Sequence, residues 1–585
     1  MVTLWSLSCI TRRAVDSAGG SSVKRFLYNL ALMVVATSVL AQVSKIAAPL
    51  HGRQDNDAAD VIVQFTTTPG ALHRAKILAR GGTVKDDLSF IKALRASIPA
   101  SRLDDLSQDA EVTYISPNRP IQSALNNATA AVLANYPWSI GLDGEGVGVA
   151  LIDSGVRQVE DLRTVTKEKS RVVYTFDTIG GGADDLYGHG THVAGIIAGN
   201  AAASSCPTCD TELQGIAPNA RILNFHALDQ NGGGTDTSVI NAIYQAILVK
   251  GQYNIRVMNL SVGRPVYESY KLDPLCQAVE AAWRAGIVVV VAAGNDGRNN
   301  SFNNNGYGTI NAPGNDPYVI TVGAMNTMGT PDRSDDVMTT YSSKGPTAID
   351  HIVKPDLVAP GNKVISLQAQ GSTLVNEYPA NIPPVGYYYE GNGQRPSPNY
   401  FTLSGTSMAT PVVSAAAALL IQRHPELTPD QVKGRLMRSA YKTFPRYTTI
   451  TDSGVTYTIQ YDVFTVGAGY LDLQEAFSDA HHDDEGLSAK SPTAVYDAKT
   501  KTVHFLRDAS ALWGSSAMWG SSTVWGQNAF VGSKSAMWGS SALWGSSAMW
   551  GSSTASAFSA LWGSSAMWGS GTNTPDPTVA VNGDN

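Results

Sequence analysis

Between Trp138 and Ser478 the chain carries a series of near-continuous apolar runs closed by Gly or Asn, at residues 147–152, 222–225, 257–260, 287–292 and 319–322. Runs this short and this apolar suit strands buried on both faces. Helical patterns lie between several of them, over residues 237–250 and 273–285. That alternation predicts an α/β domain over residues 138–480, with a mostly parallel central sheet between two helical layers. In such sheets the groups that do chemistry gather beyond the carboxyl ends of the strands.

The flanks read differently. Arg12, Arg13, Lys24 and Arg25 precede an apolar run at about 30–40, and Val39-Leu40-Ala41 suits a small-residue cleavage site. Residues 1–41 are therefore expected to be an export signal, an uncleaved anchor being the competing reading. The run is shorter than the roughly 20 residues of a membrane span. After a linker at 42–59, strand-like stretches at 61–65, 88–91 and 112–115 and a helical one at 72–79 are read as parts of a β-α-β-β-α-β rhythm. It predicts a small ferredoxin-like α+β module over 60–121, followed by a linker at 122–137.

A further linker spans 481–510, and there the composition changes. Eight of the eleven tryptophans lie between Trp513 and Trp568, in units of the form Trp-Gly-Ser-Ser-Ala-Met/Leu. The period is mostly six, with Val531 and Ser556 in Trp positions and a one-residue slip before Trp538. An even period keeps the Trp side chains on one face of an extended chain. Residues 511–570 are read as this repeat tail, either a short β-solenoid or a flexible appendage, and 571–585 as disordered. Trp on one face suits contact with a cell surface or carbohydrate.

Charge and cysteine content narrow the function. The net charge of −7, with no basic run interleaved with aromatics, excludes nucleic acid as an expected partner. Four cysteines are present; Cys9 leaves with the signal, and Cys276 sits in a helical pattern as a small core residue. Cys206 and Cys209 form a C-x-x-C, for which a local disulfide is expected in an exported chain. Zinc would need two more ligands nearby.

Three segments carry the chemistry. Asp153 ends an apolar run and is followed by Ser154-Gly155; His189 lies between two glycines in Gly188-His189-Gly190-Thr191-His192; Ser407 opens a helical stretch in Gly405-Thr406-Ser407-Met408-Ala409-Thr410-Pro411. Taken singly, each has an ordinary role as turn acid, packed imidazole or helix-start hydroxyl. Together they supply the carboxylate, base and nucleophile that covalent peptide hydrolysis needs.

The segments Leu151-Ile-Asp-Ser-Gly155, His189-Gly-Thr-His-Val-Ala-Gly195 and Gly405-Thr-Ser-Met-Ala-Thr-Pro411, in the order Asp…His…Ser, resemble the subtilase family of serine peptidases. The resemblance implies a subtilisin-like fold and a serine endopeptidase acting through an acyl-enzyme. It makes Asp153 the orienting carboxylate, His189 the general base and acid, and Ser407 the nucleophile, with His192 structural. Asn295, in Val291-Ala-Ala-Gly-Asn-Asp-Gly297, matches the family's side-chain oxyanion donor. Thr321-Val-Gly-Ala324, Tyr341-Ser-Ser-Lys-Gly-Pro346 and Lys354-Pro-Asp-Leu-Val-Ala-Pro-Gly361 are further landmarks.

For substrate, the resemblance points to Ser261, Val262 and Gly263 on one side of an extended peptide and Gly232, Gly233 and Gly234 on the other. Ser261–Gly263 also wall the S1 pocket, Ala293 and Gly294 are further substrate contacts, and Asp296 and Asn311 stand at the S1 site. It also makes 60–121 an inhibitory propeptide, acting on its own chain and removed by self-cleavage within 121–134, in a secreted zymogen. The chemistry itself needs no cofactor. Many subtilases bind structural calcium, and Asp161 stands near a ligand position, but the stretch 200–210 does not reproduce the ligand series. An insertion at 368–398 precedes the Ser407 segment, either lining the cleft or lying on the surface. The alternative function is a surface-attached binding protein whose repeat tail is the main working element.

Overall fold

The computed structural model describes residues 45–46, 50, 58–117, 125–478, 488–497, 502–506 and 581–584, apart from positions 165, 167, 207, 210, 301–303 and 390–393. The expected export signal and the repeat tail lie outside the described residues. Among those described, no helix is long and apolar enough to cross a membrane. The chain divides into two units, Met1–Ile121 and Gln122–Asn585. Two of the expected linkers are partly structured. The stretch 122–137 carries helical turns at Leu125–Ala131 and Asn135–Ser139, with Ala128, Ala131, Val132 and Ala134 in the core of the second unit. The stretch 481–510 contains an antiparallel pair, Thr493–Asp497 with Thr502–Leu506.

In the first unit the strands β1 (Ala58–Phe65), β2 (Thr83–Leu88), β3 (Ala93–Pro99) and β4 (Val112–Pro117) form an antiparallel sheet. Its order is β2-β3-β1-β4, the ferredoxin-like arrangement, with helices α1 (Ala71–Leu78) and α2 (Leu103–Ser107) in the connections. Alternation along β1 and β3 puts Val61, Val63, Phe65, Leu94, Ala96 and Ile98 into one core. The strand expected at 88–91 is displaced: β2 ends at Leu88, and Ser89–Ile91 is a 3₁₀ turn leading into a left-handed Lys92. Asp87 accepts from the Ser89 backbone N–H at 2.9 Å, a local bond that favours the turn over a strand.

The second unit is built on a sheet of β5 (Gly148–Asp153), β6 (Val172–Asp177), β7 (Arg221–His226), β8 (Ile255–Leu260), β9 (Val288–Ala292), β10 (Ile320–Asn326), β11 (Val337–Met338) and β12 (Leu357–Pro360). The order is β11-β10-β9-β8-β5-β7-β6, with β12 also on β10, and every pairing except β10–β11 is parallel. Helices α3 (His189–Ala198), α4 (Asp236–Tyr253), α5 (Pro274–Arg284), α6 (Thr406–Arg423) and α7 (Pro429–Ser439) pack around it. The fold is α/β with a mostly parallel central sheet, as the apolar runs predict.

Two local choices matter for the site. Helix α6 is apolar on nearly every side, so it cannot sit at the surface; it packs against β8, β9, β10, β12 and α3, and all but its last residues and Ser407 are buried. The Lys354-Pro-Asp356 landmark closes a buried charge cluster. Asp356 Oδ2 accepts from Lys354 Nζ at 2.6 Å and from the Thr321 N–H at 2.8 Å, while Oδ1 lies 3.1 Å from Lys433. Burying three charges is tolerable only because each is paired.

Candidate active site

Four adjacent strands, β9, β8, β5 and β7, run in the same direction and end beside one another. Their exits carry Ala293–Asn295, Ser261–Gly263, Asp153 and the turn containing Gly232–Gly234 respectively. The segments expected to act together thus meet at one edge of the sheet.

Asp153 is buried and its Oδ1 lies 2.7 Å from His189 Nδ1. The same oxygen accepts from the Ser154 N–H at 2.8 Å, while Oδ2 has no partner among the described residues. His189 is partly exposed at the start of α3. Burial works against its protonated form, but the touching Asp153 carboxylate and the nearby Asp185 outweigh it and hold the imidazole above its ordinary 6.5. Gly190 permits this closeness, since a Cβ there would collide with the Gly155 carbonyl.

Asp185 is a residue that motif reading passed over. It is fully buried and accepts from the N–H groups of Gly188 and Thr191, at 2.6 and 2.7 Å, and from Ser154 Oγ at 2.9 Å. It therefore satisfies the free N–H groups at the start of α3 and ties that helix to the residue after Asp153. The signal available in sequence was an acid three residues before Gly188. His192, one turn into α3, is a different histidine. Its Nε2 lies 3.1 Å from both the Val364 and Phe401 carbonyls, and burial, with His189 nearby, pushes it down to about 3. It is a neutral packing group.

Ser407 sits in the first turn of α6, where backbone N–H groups have no partner within the helix. Its hydroxyl donates to the Ser261 carbonyl at 3.1 Å, and its own carbonyl accepts from Ser261 Oγ at 2.8 Å. The second bond has a cause in the sequence. Pro411 stands four residues on and has no N–H, so the Ser407 carbonyl lacks its helical donor and is open to Ser261. Ser261 is held in turn: Asn259 Nδ2 donates to its Oγ at 3.0 Å, and Ser414 Oγ donates to Asn259 Oδ1 at 2.8 Å. No hydrogen bond joins Ser407 to His189; such contacts often tighten only with substrate bound.

The Asn295 amide is oriented by α6. Its Oδ1 accepts from Thr406 N–H at 2.9 Å and Thr406 Oγ1 at 3.0 Å, which leaves Nδ2 as a donor not used among the described residues. Nδ2 lies next to Gly405, on the side of the Ser407 backbone N–H. Both donors thus lie beside Gly405, at the start of α6.

The S1 candidates close on one another through the backbone. Asn311 N–H donates to the Ala293 carbonyl at 3.0 Å, and Ala312 exchanges two bonds with Arg264, just past Gly263. Asn311 Nδ2 also reaches Asp296 Oδ2 at 3.1 Å, and burial raises the Asp296 carboxyl above its usual range. The insertion borders the site. Thr373 and Leu374 N–H groups donate to the Leu186 and Tyr187 carbonyls, and Thr373 Oγ1 reaches the Gln230 carbonyl at 2.8 Å.

At Asp161 the residues present do not fit a calcium ion. Its Oδ1 accepts from the Ala203 N–H at 2.7 Å, and its Oδ2 lies 2.8 Å from the Tyr400 hydroxyl. A cation needs a ring of oxygen lone pairs, whereas this carboxylate faces hydrogen-bond donors. Among the described residues no cluster of three or more His, Cys, Asp and Glu could hold a metal. Cys206 and Cys209 form a disulfide in the adjoining loop, with Cα atoms 4.9 Å apart. Cys276 is a free, buried thiol.

Comparison with known proteins identifies the family. Residues 144–469 match the model of the subtilase family. Serine protease AprX of Bacillus subtilis is 35% identical over 373 residues, covering 61% of this chain and 76% of AprX. Subtilisin E of the same organism is 30% identical over 417 residues, covering 70% and 91% respectively. A solved cold adapted subtilisin-like serine proteinase is 28% identical, covering 51% of this chain and 84% of its own, at a TM-score of 0.36. The chain belongs to the subtilase family of serine peptidases.

Proposed function

We propose that this subtilase is a secreted endopeptidase that cleaves peptide bonds through an acyl-enzyme on Ser407. The observation that carries the reading is the meeting of the Asp153–His189 pair, the Ser407 hydroxyl and the unused Asn295 Nδ2 at neighbouring strand ends. His189 Nε2 takes the Ser407 proton as Oγ attacks the scissile carbonyl. Asp153 holds the tautomer with the proton on Nδ1 and stabilises the imidazolium that forms. The oxyanion accepts from Asn295 Nδ2 and the Ser407 N–H. His189 then returns its proton to the leaving amine, and water repeats the cycle on the ester. Every group used belongs to the protein, so no cofactor enters the chemistry.

Substrate lies extended between Ser261–Gly263 and Gly232–Gly234, held mainly through its backbone. The P1 side chain enters between Gly263 and Ala293–Gly294, near Asp296 and Asn311. The unit 60–121 serves as an inhibitory propeptide removed by self-cleavage, the N-terminal signal directs export, and the Trp repeat attaches the enzyme to a cell surface or carbohydrate.

A fluorophosphonate probe tests the core of this reading: it labels the matured chain, and Ser407→Ala abolishes labelling. Labelling that survives the substitution overturns the assignment. Asn295→Ala lowers kcat by about 10²–10³ with KM little changed. Mass spectrometry of the secreted chain finds a new N-terminus within 121–134 that is missing from Ser407→Ala.

A further inference from the structure

Residues 581–584 fall within a stretch expected to be disordered, yet they are placed against the catalytic unit, with Val581 and Asp584 buried. Each of the contacts has a specific partner. The Asp584 carboxylate accepts from Arg298 Nη2 at 2.7 Å, from Thr340 Oγ1 at 2.6 Å and from the Thr340 backbone N–H at 2.7 Å. One side chain reads the backbone twice: Asp584 N–H donates to Asn362 Oδ1 at 2.9 Å, and Asn362 Nδ2 donates to the Asp584 carbonyl at 3.1 Å. Asn381 Nδ2 donates to the Val581 carbonyl at 3.2 Å.

Gly583 is held to glycine on two counts. Its φ is +72°, and a Cβ would collide with the side chains of Asn362 and Ser404. The pocket therefore selects an acid by a guanidinium and a hydroxyl, a glycine by close approach, and the main chain by an amide. Such charge-assisted, multiply bonded recognition is what a binding site for a defined peptide requires. Arg298 also pairs with Asp452, so its charge remains compensated when Asp584 leaves.

We propose that Arg298, Thr340, Asn362, Asn381 and Ser404 form a second peptide-binding site, sharing no residue with the substrate groups, and that it takes a Gly-Asp segment supplied by this chain's own residues 581–584. The site adjoins the catalytic segments in sequence: Arg298 follows Asn295 by three residues and Ser404 precedes Ser407 by three.

Amide hydrogen exchange on the full chain, in a Ser407→Ala background that prevents self-cleavage, tests the assignment. Asp584→Ala and Gly583→Val each speed exchange of the Thr340 amide by about tenfold or more, the loss expected when a charge-assisted hydrogen bond is removed. Unchanged exchange at Thr340 in both variants overturns the proposal. The acetylated synthetic peptide Thr-Val-Ala-Val-Asn-Gly-Asp-Asn, added at millimolar concentration to the Asp584→Ala chain, restores protection. The same peptide with Ala for Asp does not. Equal protection by the two peptides, or none by either, removes the claim that the pocket recognises this sequence.

Discussion

The two ends of helix α3 each hold a buried carboxylate, and they treat it in opposite ways. At the start, Asp153 gives one oxygen to His189 and leaves the other without a partner among the described residues. At the far end, Asp161 has both oxygens engaged by the Ala203 N–H and the Tyr400 hydroxyl, and burial pushes it up to about 6. Arg171 closes that end by donating to the Asp161 and Ala198 carbonyls, each at 2.6 Å. One acid faces a group that can take up a charge; the other faces neutral donors that fix a loop. A buried carboxylate acquires its role from what meets its lone pairs, not from burial itself.

Substitutions at the two ends should separate most sharply in turnover. Asp153→Asn lowers kcat by about 10⁴-fold, since Asn cannot hold His189 in the required tautomer. It also shifts the pH profile. His189 must be neutral to act as base, so wild-type activity falls on acidification at a pH above 6.5, and this limb moves down when Asp153 loses its charge. A limb that stays in place in the variant would break the link between Asp153 and His189.

At the other end the effect is on stability. Tyr400→Phe leaves Asp161 Oδ2 buried without its donor and costs about 1–3 kcal/mol in denaturant unfolding, with kcat unchanged. A loss of activity comparable to that of Asp153→Asn would erase the contrast. Asp161→Asn has a subtler signature. Between the ordinary carboxylate value of 3.8 and about 6, the folded chain keeps a proton that the unfolded chain has already released, so stability falls as pH rises through that window. The variant flattens this part of the curve of melting temperature against pH. The smallest effect is expected from EDTA, which leaves the melting temperature unchanged if this end is closed by hydrogen bonds. A marked fall would place a stabilising cation at ligands other than Asp161.

Sequence and structure agree where a feature is local. The apolar runs mark the strands of the central sheet that carry candidate site residues, because a strand buried on both faces is built mainly of apolar residues. Asp153, His189 and Ser407 are legible because each sits in a short motif whose glycines and helix start are themselves required. What the sequence hides is side chains that meet across long separations. Tyr400 reaches Asp161 over 239 positions, and Asp584 reaches Thr340 over 244. The sequence offers Ser261 only as an expected substrate contact, and its reciprocal bonds to Ser407 follow from packing β8 against α6. The 3₁₀ turn at Ser89–Ile91 shows the converse: an apolar pair, Phe90-Ile91, suggests a strand, and a single Asp87 bond to the backbone turns the chain instead.

Anyone screening for heat-resistant variants would be drawn to Pro411, a helix breaker in the first turns of a buried helix. Pro411→Ala recovers about 3 kcal/mol of intrinsic helix propensity. It also gives the Ser407 carbonyl a rival donor, in competition with the Ser261 hydroxyl that now anchors it. Screened by melting temperature alone, the substitution would look like an improvement; kcat measured beside it would show the loss.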